Sequence, residues 1–285
     1  MKFGVMFANV GPYVEPDMAA AFGRIAEEHG IESLWAVEHV VVPADYQSQY
    51  PYSSSGRMPG PEESPIPDPL IWLTWLGAAT TTLRLATGIL ILPQRNPVIL
   101  AKELATLDRL TGGRLELGVG VGWLQEEFDA LGVPFERRGS RTDEYIDVLR
   151  RLWREPETAD DGTFTRFAAL RSFPKPASAG GPPIHIGGHT NAAARRAGRI
   201  GDGFFPGRTG DELAGLLDEM RKAAVEAGRA PDQIEITSGG ALDLDAVKKA
   251  ADLGVARYIV PPLGFDLETL RANLGKFAEN VMAHA

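Results

Sequence analysis

An acid and an imidazole stand side by side at Glu38-His39, closing the apolar run Leu34-Trp35-Ala36-Val37. Such groups pass protons to and from a substrate near neutral pH, because histidine titrates there and a carboxylate tunes it. Side chains alternate along an extended chain, so only one of the two faces the interior that the strand lines. A second set is glycine-rich. In Gly118-Val119-Gly120-Val121-Gly122-Trp123 every second residue is glycine, which clears one face of a strand for a flat ring or a phosphate and leaves Trp123 as a wall. This spacing is not the Gly-x-Gly-x-x-Gly of a dinucleotide fold. Gly187-Gly188-His189-Thr190-Asn191 runs into an alanine-rich helix, the build of an anion site, with Thr190 and Arg195 as added donors at a helix start. Capping by Thr190 and Asn191 alone is the competing account. Thr87-Gly88-Ile89 sets a glycine inside a β-rich run, the mark of a bulge or of close approach by a ligand, or else of small residues fitting a barrel's taper.

The elements that must position these residues follow from periodicity. Short β-branched runs alternate with stretches of helical spacing, as in repeated βα units. The runs predict strands at 2–8, 33–38, 84–92, 114–121, 183–187, 203–206, 234–238 and 257–261. Helices are expected at 17–29, 69–80, 97–110, 141–154, 211–227, 245–253 and 267–282, several of them followed by glycine. About eight such units close into a barrel more readily than they extend as one open sheet, so the expected fold is α/β, a (β/α)8 TIM barrel forming one domain over 1–285. Glu38-His39, the glycine run to Trp123 and Gly187-Gly188-His189 then fall at the carboxyl ends of strands, where barrels carry their chemistry, with Thr87-Gly88-Ile89 inside the third strand. Two insertions break the rhythm. One, 43–69, follows strand 2 and reads as a lid over the site; the other, 155–182, precedes strand 5 and holds a small hairpin around Asp161-Gly162.

Composition excludes several classes. Hydrophobic residues at 44% and charged residues at 24% support a folded core. A net charge of −9 without basic runs argues against nucleic acid as a partner. There is no cysteine and no Gly-x-Ser-x-Gly, and the His-x-x-x-His at 185–189 runs from an expected strand into a turn rather than along one helix face, so disulfides, thiolate metal sites and the simplest hydrolase are set aside and no metal is expected. Apolar stretches are too short to span a bilayer and the first residues lack a signal core, so no membrane segment and a cytoplasmic address are expected.

Taken together, Trp35-Ala36-Val37-Glu38-His39, Ala86-Thr87-Gly88-Ile89-Leu90, the glycine strand with Glu127-Phe128, and Gly187-Gly188-His189 with Gly201-Asp202-Gly203 resemble the bacterial luciferase-like family over nearly the whole chain. Phe135-Glu136-Arg137-Arg138-Gly139 leading into Asp143-Glu144-Tyr145 is most similar to the branch using the deazaflavin coenzyme F420 in place of FMN. The resemblance implies a cofactor in the barrel mouth, backed by a non-proline cis peptide at Gly88-Ile89. It implies cofactor contacts from Thr87, Gly88, Ile89, Gly120, Gly122, Gly187, Gly188, His189, Thr190 and Arg195. It gives His39 proton transfer or charge stabilisation, with Glu38 orienting it. Tyr13, Trp35, Trp123 and Phe205 become candidate walls of the substrate pocket, and helices 69–80 and 97–110 a homodimer interface.

The leading expectation is hydride transfer between F420 and a small organic substrate, with the cofactor supplying the redox chemistry. An FMN-dependent monooxygenase is the alternative on the same fold. A non-catalytic flavin- or deazaflavin-binding protein is the alternative of another class, which would keep the glycines and not need His39.

Overall fold

Alternate residues of each strand carry two different environments. Phe3, Val5, Leu34, Leu85, Leu117, Val119, Ile184 and Ile186 belong to the large apolar core shared with the surrounding helices. Their neighbours Trp35, Ala86 and Ile259 form a separate small cluster with Met6 and Phe205. The period of two thus divides an outer layer between strands and helices from the barrel's own interior.

The computed structural model describes residues 1–285. Its barrel strands are β1 (Lys2–Met6), β2 (Ser33–Ala36), β3 (Arg84–Thr87), β4 (Leu90–Ile91), β5 (Leu115–Gly120), β8 (Ile184–Gly187), β9 (Gly203–Phe205), β10 (Glu235–Gly239) and β11 (Arg257–Val260), and β6 (Thr158–Asp161) with β7 (Arg166–Leu170) makes a separate antiparallel hairpin. All barrel pairings are parallel, β1 joins β11, and β3 also pairs with β5, which closes the ring. β3 and β4 make one stave interrupted at Gly88-Ile89, so the ring is the eight-stranded TIM barrel expected from the sequence. The hairpin lies inside the second insertion, at the expected turn.

The helices are α1 (Pro16–Glu28), α2 (Pro69–Ala79), α3 (Pro97–Leu110), α4 (Gln125–Ala130), α5 (Arg138–Arg154), α6 (Asn191–Ile200), α7 (Gly210–Glu226), α8 (Leu244–Asp252) and α9 (Leu267–Asn280). Local chemistry sets their starts. Asp68 and Asn96 accept hydrogen bonds from the first free N–H groups of α2 and α3, each with proline as the first helical residue. No helix is long and apolar enough to cross a membrane.

The lower barrel interior is charged rather than apolar. Arg257, with no exposed surface, donates to Glu32 at 2.9 Å and pairs with Glu235 at 2.5 Å. His185 Nε2 lies 2.5 Å from Glu116 Oε2, and Arg84 also pairs with Glu116. Burial works to raise the Glu116 pKa, but the His185 hydrogen bond and the charges of His185, Arg257 and Arg84 outweigh it and hold the carboxyl at about 2. Glu116, His185 and Glu235 lie close enough to share a cation, yet Lys2, Arg84 and Arg257 already face these carboxylates. We therefore read this layer as an ion-paired plug.

Candidate functional site

The chain leaves β2 through Val37, Glu38 and His39, and here the two candidate acid–base residues part. Glu38 is buried; its oxygens take the Ile91 N–H and the Arg95 guanidinium, whose Nε lies 3.0 Å away. Burial pushes the Glu38 carboxyl up against the pull of Arg95. Arg95 also reaches Asp68 at 2.7 Å, so Glu38 ties β2 to β4 and the start of α2. The expectation that Glu38 orients His39 is corrected: alternation turns consecutive side chains apart, and the carboxylate at His39 is Glu127.

His39 is half-buried, with Nδ1 3.1 Å from Glu127 Oε2 and its ring edge-on to Trp123 at 5.7 Å between centroids. Glu127 sits in the first turn of α4 with no exposed side-chain surface, and its other oxygen accepts from Val40 N–H at 2.6 Å and Val41 N–H at 3.3 Å. Tyr46 and Tyr50 also meet Trp123, at 5.5 and 5.2 Å; Tyr52 meets Tyr50 at 5.5 Å and His189 at 4.9 Å. The first insertion thus lays an aromatic chain over the mouth from His39 to His189. Burial pushes the Tyr50 phenol up. Burial, with Arg208 beside it, lowers His189.

The glycines clear space, but protein atoms take much of it. A Cβ at Gly118 would collide with the Thr87 carbonyl, one at Gly120 with Ile89, and one at Gly187 would come within 2.6 Å of Ile89. Gly122, at φ +78°, abuts Phe128 and Ile91. The Gly88-Ile89 peptide is cis, as the family resemblance implied. Gly88 rests on Met6 and Trp35, and the half-buried Ile89 side chain floors the mouth between β5 and β8. The cleared face therefore receives Ile89 first, and any planar ligand lies above it.

Three expected cofactor contacts are relocated. Thr87 is buried and donates its hydroxyl to the Gly118 carbonyl at 2.7 Å, tying β3 to β5. Thr190 caps α6 by accepting from Ala193 N–H at 3.2 Å. Arg195 turns to α7, where it pairs with Glu219 at 2.9 Å, because the helix phase points it away from the mouth. Gly188, at φ +118°, opens the turn before α6, and the buried Nδ1 of His189 in that turn has no protein partner. An unsatisfied ring nitrogen beside a helix start suits an anionic or hydrogen-bonding ligand group.

Two expected pocket walls are also corrected. Tyr13 is fully buried, stacks on Phe22 at 4.3 Å and donates to the Gly264 carbonyl at 2.6 Å; burial and Asp266 push its phenol up to about 12. Trp35 is fully buried in the barrel, held by Ser33 Oγ at 2.8 Å and edge-on to Phe205 at 5.4 Å. Trp123 and Phe205 remain partly exposed at the mouth.

Glu127 as the partner of His39, the three tyrosines and Arg138 are not signalled as site residues by the spacing of the motifs. Arg138 opens α5, donates to the Gly122 carbonyl at 3.1 Å and lies over the Phe135 ring at 3.8 Å. Burial lowers its pKa with no carboxylate opposing, so it is a free cation beside the glycine strand. Its signal was the Arg137-Arg138 pair.

A sequence model described as luciferase-like monooxygenase matches residues 1–278. An uncharacterized protein of Mycobacterium tuberculosis is 34% identical over 269 residues, 91% of this chain and 93% of its own. The 5,10-methylenetetrahydromethanopterin reductase of Methanolobus tindarius is 26% identical, covering 91% and 72%. The FMNH(2)-dependent dimethylsulfone monooxygenase of Pseudomonas putida is 35% identical over 157 residues, covering 54% and 43%. In fold, the chain superposes on the coenzyme F420 dependent tetrahydromethanopterin reductase of Methanopyrus kandleri with a TM-score of 0.78, at 17% identity and 99% coverage of both chains.

Proposed function

The chain belongs to the luciferase-like monooxygenase family, and from that premise we propose that it is a coenzyme F420-dependent oxidoreductase acting on a small organic substrate. The observation that carries the reading is His39 held by Glu127 at the mouth, the position at which the resemblance puts a proton-handling histidine. When bound, the deazaflavin supplies or accepts the hydride.

The residues present suit such a group. Ile89 supports one face of a flat ring, the turn at Gly187, Gly188 and His189 offers an anion site at the head of α6, and Arg138 adds positive charge near Gly122. His39 would take the proton released when a substrate carbinol becomes a carbonyl, or return it in the other direction. Trp123, Tyr46, Tyr50 and Phe205 would exclude water and orient a flat or apolar substrate. The reading takes 1–285 as one domain. It makes the chain a homodimer through α2 and α3, where Ile71, Trp75 and Ile99 are 75%, 52% and 60% exposed.

An FMN-dependent monooxygenase is the second reading, favoured by the similarity to the dimethylsulfone enzyme over about half the chain. Titration of the protein with F420 and with FMN, followed by fluorescence, separates the two. Roughly micromolar F420 binding with FMN at least ~10-fold weaker is expected. The reverse preference moves the assignment to FMN, and binding of neither removes the cofactor site. A merely cofactor-binding protein is distinguished by His39→Ala, which in an enzyme lowers turnover at least ~100-fold with cofactor affinity little changed.

A further inference from the structure

We infer that Glu127 is the positioning residue for His39, fixing the proton on Nδ1 and presenting Nε2 to the barrel mouth as the atom that exchanges a proton with substrate. The inference rests on the proton-transfer reading of His39 and assigns its tautomer and the group that sets it.

Donor and acceptor logic leads there. Glu127 Oε1 accepts from the N–H groups of Val40 and Val41 at 2.6 and 3.3 Å. Backbone N–H groups only donate, so this oxygen is locked as an acceptor and the carboxylate cannot rotate without leaving both donors bare. The second oxygen, Oε2, lies 3.1 Å from His39 Nδ1. An ionised carboxylate has no proton to give, so Nδ1 carries the hydrogen and the lone pair of the neutral ring sits on Nε2. Proton uptake at Nε2 creates an imidazolium whose charge faces a fully buried carboxylate, which stabilises it where water is scarce.

The ring plane is fixed from the same segment. His39 stands at 82° to Trp123, four residues before Glu127 on the passage from β5 to α4. One short stretch therefore supplies both the hydrogen bond and the aromatic face that constrain the imidazole. The residue acts through His39, and a role limited to tying residues 39–41 to α4 would leave the tautomer unaffected.

Glu127→Gln separates these roles. The amide keeps the shape, and its oxygen can still accept from Val40 and Val41, which turns its NH2 toward Nδ1. A donor at that place forces Nδ1 to accept, so the neutral ring must move its hydrogen to Nε2. The experiment is two-bond 1H–15N correlation on full-length protein with 15N-labelled histidine, His39 being assigned by His39→Gln and the ring read in its neutral form. Wild type is expected as the Nδ1–H tautomer and Glu127→Gln as Nε2–H, with native circular dichroism in both. An Nε2–H wild type, or the same tautomer in both proteins, overturns the inference; should the variant not fold, the wild-type tautomer decides. The spectra need neither cofactor nor substrate, so they succeed or fail independently of the F420 assignment. With a turned-over substrate, kcat of Glu127→Gln should fall at least ~10-fold with KM within about twofold.

Discussion

The Ile89 side chain stands between Gly120 and Gly187, and a methyl on either glycine would meet it. Gly120→Ala should therefore push Ile89 out of the floor of the mouth. Small-to-large changes at packed sites cost about 1–3 kcal/mol, measurable by urea unfolding, and F420 affinity should fall with it. Ile89→Val removes the methyl that is struck, so the double variant should recover part of the loss, with a coupling of at least ~0.5 kcal/mol. Strict additivity would mean that the two side chains do not compete for this space.

Arg138 and Arg195 should behave oppositely. Arg138 lacks a carboxylate partner beside Gly122, whereas Arg195 is engaged by Glu219. Arg138→Ala should weaken F420 binding about 10-fold, the size of one charge-assisted hydrogen bond, and Arg195→Ala should leave it within about twofold. A larger effect at Arg195, read in the same fluorescence titration, would return the anion site to α6.

Stability should drop on acidification through the plug of the barrel. Glu116 is held at about 2 against an ordinary 4.5. A carboxyl with a lowered folded pKa stabilises above its unfolded value and loses that contribution as pH falls toward the folded one. The window is therefore about pH 4.5 down to 2, and the contribution on the order of 3 kcal/mol. Urea melts of Glu116→Gln should show a shallower decline across this window than wild type; an equal slope would place the titrating groups elsewhere.

The apolar face of α2 and α3 predicts association. Ile71→Lys with Ile99→Lys should convert a dimer into a folded monomer by sedimentation, since charge on a buried face opposes pairing. A wild type that already sediments as a monomer would discard this interface.

Where residues announce their own environment, the sequence was readable. Each barrel strand begins within one residue of its expected start because outward-facing apolar side chains alternate with inward-facing ones. What alternation does not encode is chemistry facing chemistry across the barrel. The pairing of Glu116 with His185 joins residues far apart in sequence, and neither element alone predicts it. Helix phase relative to the sheet is similarly hidden, which is why Arg195 was placed in the site and Arg138 was not. Tyr13 and Trp35 show the third limit, since an aromatic ring suits core and pocket alike. Glu38 and Glu127 show the fourth, because adjacency in sequence suggested the wrong carboxylate for His39.

The first insertion is pinned at both ends by hydrogen bonds, and in between it meets the barrel through Tyr50 on Trp123 and Tyr52 on His189. Glu126 accepts from Gln47 N–H at 2.6 Å and from the Ser48 hydroxyl at 2.6 Å, while Asp68 caps α2 and meets Arg95. Glu127, the next residue on the same helical turn, independently secures residues 39–41. The span between Ser48 and Asp68 is thus a cassette that evolution or a designer can exchange, re-aiming Tyr50 and Tyr52 toward a different molecule while the imidazole beneath stays in register.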